Sequence, residues 1–169
     1  MATSIVGVLV AVALFGLFAT LIQPAATAAQ TEQLNSATGQ LADFFRLAQT
    51  EAQRTEQHIA VSYSVADKQF SAFTVSTLIP FKVDATLYHP VSKQPLQWLA
   101  GPVAITNGGA PFSLEAGNAS TIIYDSWGTP FGSSGAKINQ LALSTITLTH
   151  NGESRQVQIL PYSGRVQVK

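Results

Sequence analysis

No Asp, Glu, Lys, Arg or His occurs before Glu32, so the first 31 residues are uncharged. The run from Met1 to Ile22, MATSIVGVLVAVALFGLFATLI, has only Thr3, Ser4 and Thr20 as polar side chains. A helix of about 20 such residues spans roughly 30 Å, the thickness of bilayer hydrocarbon. A helix that is apolar all round has no solvated face, so lipid or other helices must cover it. A removable secretory signal would need a basic leading region, which is missing, although Ala26-Thr27-Ala28-Ala29 resembles a cleavage site. A core helix would be shorter and keep a polar edge. The segment is therefore read as a transmembrane or filament-core helix, with Ile5, Val8, Val12, Leu14, Phe15, Phe18 and Leu21 as packing residues. Pro24 removes one backbone hydrogen bond and predicts a kink or an unwound turn. Gly7 and Gly16 suit close helix packing in a membrane.

Helical periodicity then returns in amphipathic form. Leu34, Leu41, Phe44, Phe45, Leu47, Ala48 and Ala52 recur at helical spacing, with Gln, Asp, Glu and Arg in the other positions. The apolar stripe is expected to lie against the chain's own domain. Read from residue 3 to about 57, the helix is on the order of 80 Å long, more than a globular domain needs. Three regions follow: 1–30 as the hydrophobic half, 31–57 as the amphipathic half, and 58–169 as a β-rich domain.

After His58 the period changes from 3.6 to 2, with Ile59, Val61, Tyr63 and Val65 alternating with small or polar residues. Further strands are expected at 70–79, 85–89, 96–99, 103–106, 121–124, 144–150, 155–160 and 165–169. Asn151-Gly152 accepts positive φ and predicts a tight hairpin. The stretches 107–109, 127–130 and 132–135 read as turns or loops. The fold class is thus α+β, one long helix with an antiparallel sheet.

Several functions lack their residues. There is no cysteine, which removes disulfides and thiol chemistry. Net charge is 0, which gives no general reason to expect nucleic acid or acidic lipid as partners. No HExxH, GxSxG, phosphate-loop or dinucleotide fingerprint occurs. His58, His89 and His150 are far apart and read as edge residues, not ligands. Asp125, beside Ser126-Trp127-Gly128, reads as an acceptor for its own turn. The chain is read as non-enzymatic, without metal or cofactor. Trp98, Phe112 and Trp127 read as exposed loop residues, either partner contacts or caps on the core.

The order of parts resembles a type IV pilin-like protein: uncharged helix, proline, amphipathic half, antiparallel domain. Three local runs narrow this. Phe45-Arg46-Leu47-Ala48-Gln49-Thr50-Glu51-Ala52 resembles the end of the long helix in the GspH/FimT family of minor pseudopilins. Ile123-Tyr124-Asp125-Ser126-Trp127-Gly128-Thr129-Pro130 resembles that family's aromatic-Asp-x-x-Gly-x-Pro turn. The tail from Ile146 to Val168, with Gly164-Arg165-Val166, resembles its closing hairpin and Gly-Arg-Val strand. The resemblance implies a pilin-like fold and a minor subunit of a type II secretion or type IV pilus filament. It implies other pilin or pseudopilin subunits and the bacterial inner membrane as partners. The domain would lie in the periplasm, or in a periplasmic or extracellular filament.

Two departures qualify the match. Aligning Gly16 and Pro24 with the pilin helix puts Gly7 where pilins usually carry a glutamate, and counting from Met1 puts Ile5 there. Without that carboxylate, self-polymerisation is expected to weaken and an accessory position is favoured. The basic leader ending in glycine is also missing, so residue 1 is either the post-cleavage residue or follows a leader not included. Some competence-linked relatives bind DNA through a Gly-Arg-x-Arg tail. Here Arg165 matches, Gln167 replaces the second arginine, and Arg155 and Lys169 are the remaining candidate DNA contacts. DNA uptake is the alternative function. A single-span envelope protein that binds a ligand or protein and never polymerises is the third.

Overall fold

A computed structural model describes the backbone of residues 5–78, 81–106, 110–115, 117–134 and 137–169. It describes their side chains too, except at 5–27, 81, 133–134 and 137–138. Helix α1 runs Ile5–Thr55 and includes Pro24 without a break in its helical assignment. Chain contacts divide into two units, Met1–Gln33 and Leu34–Lys169.

In the second unit α1 buries Leu34, Thr38, Leu41, Phe45, Ala48 and Ala52, flanked by Ala42 and Phe44. These positions step by four and three residues, which keeps them on one face of a helix. Thr38 sits in the stripe without an orphaned hydroxyl, because its Oγ1 donates to the Leu34 carbonyl at 2.6 Å. The helix ends at Thr55, and Glu56 takes a left-handed φ of 55° that turns the chain into the sheet.

The main sheet contains β1 (His58–Ser64), β2 (Gln69–Leu78), β3 (Phe81–Thr86), β4 (Gln97–Leu99), β8 (Thr121–Tyr124), β9 (Pro130–Ser134) and β10 (Lys137–Gln140). Its order is β10-β9-β8-β1-β2-β3, with β4 also paired to β2, and every pairing is antiparallel. A second sheet, β13-β12-β11-β5, joins β5 (Ala104–Ile105), β11 (Ser144–His150), β12 (Glu153–Ile159) and β13 (Val166–Val168). A small hairpin pairs β6 (Phe112–Leu114) with β7 (Gly117–Ala119).

The period-2 pattern of β1 decides the packing. Ile59, Val61 and Tyr63 face the helix side, opposite Tyr124, Ile122 and Phe70 of neighbouring strands. Ala60 points to the other face, where it packs with Val75 and Ile123 against Leu78 and Phe131. At the centre of the main core, Phe45 meets Phe70 at 5.4 Å between ring centroids and Phe112 at 5.9 Å, both edge-on. Tyr63 and Trp98 close on Phe70 at 4.7 and 6.0 Å. Helix, main sheet and small hairpin therefore share one aromatic cluster, in the offset and edge geometries that ring quadrupoles favour. Tyr124 is fully buried and its hydroxyl has no hydrogen-bond partner among the described residues, and burial pushes its pKa above the ordinary tyrosine value.

Several expectations need correcting. Trp98 and Phe112 are not exposed loop residues: both lie in strands and are buried, and only Trp127 is exposed. The expected loop at 132–135 overlaps β9, which pairs with β8 and β10. A Cβ at Gly132 would sit 2.6 Å from Leu114, so glycine here permits close packing within a strand. The strand expected at 85–89 begins earlier, at Phe81. Lys82, Val83, Asp84 and Ala85 are all exposed on this sheet edge, which removes the apolar alternation that marks a half-buried strand. The Asn151-Gly152 hairpin forms as expected, with φ of 48° and 86° between paired His150 and Glu153.

Candidate functional site

The three runs that resemble the pseudopilin family are separated by about seventy and fifteen residues, yet they meet at the end of α1. Gln49 and Gln53 lie one turn apart on the helix. Gln49 uses both amide hydrogens, donating from Nε2 to the Gly128 and Ser163 carbonyls at 2.8 Å each. Gln53 donates to the Trp127 carbonyl at 2.8 Å. Within the turn, Asp125 Oδ1 accepts from the Trp127 and Thr129 amides at 2.9 and 2.8 Å. That is the backbone-capping role expected for an aspartate in a tight turn.

Two glycines allow the approach. Gly128 has φ +80°, and a Cβ there would lie 2.5 Å from Gln53 Nε2. Gly164 has φ +64°, and its Cβ would lie 2.6 Å from both Gln49 Nε2 and the Gly128 carbonyl oxygen. A side chain at either position would meet a left-handed backbone and an occupied space together. The outcome is two abutting loops, fixed to the helix by side-chain amides. They carry Trp127, 83% exposed, and Tyr162, 63% exposed, on their outer surface.

The C-terminal cations divide. Arg155, on β12, donates from Nε to Asn35 Oδ1 at 3.1 Å and from an NH group to the Ser154 carbonyl at 2.9 Å. Arg165 precedes β13 and is exposed, and Lys169 follows it and is exposed. Gln156 and Lys169 exchange two backbone hydrogen bonds, at 2.8 and 2.9 Å, which puts Arg155 and Lys169 at one end of β13. Arg165 is at the other end, roughly 13 Å along the strand. Arg46 joins this region from the helix, donating to the Val166 carbonyl while paired with Asp43 at 2.8 Å.

The histidines do not converge. His89 Nδ1 accepts from the Val91 and Ser92 amides at 3.2 Å each, and His150 Nδ1 lies 3.2 Å from the Pro102 carbonyl. Among the described residues no group of three His, Cys, Asp or Glu is arranged to hold a metal. Ile5, Val8, Val12, Leu14, Phe15, Phe18, Leu21 and Pro24 belong to α1 by backbone, but their side chains lie outside the described residues. Among the described residues no helix is long and apolar enough to cross a membrane. Sequence reasoning missed Gln49 and Gln53 as the residues that gather the loops. Their signal was present, as amides one turn apart beside a buried stripe.

No family model and no curated protein sequence matches the chain. Solved structures do. The type IV minor pilin FimU of Pseudomonas aeruginosa superposes with a TM-score of 0.50 at 17% identity, covering 82% of this chain and 90% of FimU. The minor pseudopilin EpsH from the type 2 secretion system of Vibrio cholerae gives a TM-score of 0.53 at 12% identity, covering 81% and 96%. This chain has the pilin fold. At such identities the likeness is one of architecture, a long N-terminal helix on an antiparallel sheet. In this pilin-like domain the amide-clamped loops occupy the sheet end nearest the helix C-terminus.

Proposed function

We propose that the chain is a minor pilin or pseudopilin, a non-catalytic subunit whose work is assembly with other pilin-fold subunits in a type IV pilus or type II secretion filament. The observation that carries this reading is the division of α1. The part from Leu34 onward belongs to the globular unit, whose sheets bury its stripe, while Met1–Gln33, uncharged up to Glu32, forms a separate unit. Such a stretch is suited to the inner membrane before assembly and to a bundle of neighbouring helices afterwards. Ile5, Val8, Val12, Leu14, Phe15, Phe18 and Leu21 are the proposed packing residues, with Pro24 following them in the unbroken helix. The fold shared with FimU and EpsH supports the same reading.

DNA uptake stands second. Arg165 and Lys169 are exposed, but Arg155 already bonds Asn35 and the Ser154 carbonyl, which leaves few free cations for phosphate. The test of the first reading is cysteine cross-linking within 5–20 of the full chain in membranes. Val8→Cys is expected to yield links to neighbouring pilin-fold helices. If that position contacts lipid alone, the chain is a single-span protein that does not assemble.

A further inference from the structure

Two loops meet at the C-terminal end of α1, one between β8 and β9 of the main sheet and one between β12 and β13 of the second. Trp127, Tyr162 and Arg165 on these loops are all exposed. Folding gains little from large rings left in water, and two of them on abutting loops make a patch, unlike apolar residues scattered singly.

The backbone that carries them is fixed. Gln53 donates to the Trp127 carbonyl at 2.8 Å, and Asp125 Oδ1 accepts from the Trp127 amide at 2.9 Å. Gln49 holds the Ser163 carbonyl, next to Tyr162, at 2.8 Å. Tyr162 itself has φ +62°, a left-handed backbone that a bulky residue keeps only when its surroundings impose it. The imposing bonds run from the Ser163 amide to the Pro161 carbonyl at 2.6 Å and from the Gly164 amide to the Leu160 carbonyl at 3.1 Å. Glycine would take this φ without strain, so a tyrosine here costs stability and gains the domain no core contact. Clamped loops lose little freedom on binding, and Trp, Tyr and Arg are the residues that dominate interface energetics.

Charge selects the partner. Arg46 is paired with Asp43 and Arg54 with Glu51, whereas Arg165 has no acidic partner among the described residues. A carboxylate answers a free guanidinium with two parallel bonds. Nucleic acid fits this surface less well, because one unpaired cation neutralises few phosphates. We propose that the Trp127–Tyr162–Arg165 surface docks a different pilin-fold subunit, at a segment that sets a carboxylate among apolar side chains. The proposal rests on the minor-subunit reading and deepens it. A subunit placed among unlike neighbours needs a surface that picks one of them, and packing of uniformly apolar helices discriminates poorly. The contact joins two unlike chains once, so it builds no run of copies.

The test uses the full-length chain in the membranes of its own host, with a benzophenone side chain at half-exposed Ser126, beside Trp127. The expected product is a light-induced link to one pilin-fold chain of different sequence, with an Asp or Glu in the linked segment. Trp127→Ala and Arg165→Glu each lower the linked yield by about tenfold or more, the loss that follows from truncating an interface hot spot. Unchanged melting curves for these two variants show that contact, and not the fold, is lost. Changing the partner's carboxylate to Arg restores the yield with Arg165→Glu. Tyr162→Gly lowers the yield while the melting temperature holds or rises; a tyrosine that served only the fold would leave the yield unchanged. A link to a second copy, to lipid, to nuclease-sensitive material or to a protein without the pilin fold overturns the proposal, as does a link indifferent to Arg165→Glu. Absence of any link at Ser126, while Val8→Cys still links neighbouring helices, overturns it and leaves the filament reading standing. Loss of both removes the filament reading too.

Discussion

From Leu34 to Thr55 the apolar residues of α1 fall in a stripe, and the sheets of the same chain cover it. From Ile5 to Ile22 the helix sequence has no charge and only Thr20 as a polar side chain. The first pattern is what a helix needs when one side meets a core and the other meets solvent. The second suits a helix covered on every side by apolar surroundings. The C-terminal part of α1 is a piece of a globular protein, and the proposed function assigns its N-terminal part to other helices or lipid.

The sharpest way to break that contrast is to truncate one phenylalanine in each half. Phe45→Ala removes a fully buried ring from the aromatic cluster and should cost about 3–5 kcal/mol, enough to unfold much of the domain in a denaturant titration. Phe15→Ala should leave the domain's midpoint unchanged and reduce helix cross-linking. If Phe15→Ala destabilised the domain equally, the two halves would form one core and the contrast would be wrong.

A smaller loss is expected where the amphipathic half grips its loops. Gly164→Ala forces a Cβ into a left-handed backbone and against Gln49 and the Gly128 carbonyl oxygen. The cost should be about 2–3 kcal/mol, read as a lower denaturation midpoint with the helix signal retained.

The smallest change runs the other way. The buried Tyr124 hydroxyl has no partner among the described residues, so Tyr124→Phe should raise stability by about 1 kcal/mol at neutral pH. The parent has a second signature in alkali. Burial raises the Tyr124 pKa in the folded state, so folding binds this proton more tightly than the unfolded chain does. The stabilisation is complete below the unfolded value of about 10 and is lost as pH rises above it. Tyr124→Phe should flatten that alkaline decline, measured as melting temperature against pH.

How much of this was legible beforehand depends on the length scale of the signal. The helix stripe, the Asn151-Gly152 hairpin and the Asp125 turn are local, and each is encoded within a few residues. A strand of three residues such as Phe112–Leu114 is too short to display a period, so Phe112 looked exposed although it fills the core. Trp98 lies in a strand that was expected, and its burial depends on Phe70 of a neighbouring strand, which the local sequence does not show. Gly132 read as a loop signal because its purpose depends on Leu114, eighteen residues away.

By itself the sequence determined that a charge-free helix, an amphipathic continuation and an antiparallel domain follow one another in the chain. Patterning of apolar and charged residues is a property of neighbours along the chain, so it can be read without coordinates. Only the tertiary structure decided that Gln49, Gly128 and Gly164 come together. It also decided that the exposed Trp127 and Tyr162 stand on abutting loops. Those facts depend on strand order and on where a backbone has room for no side chain, and both arise from contacts between residues far apart in the chain.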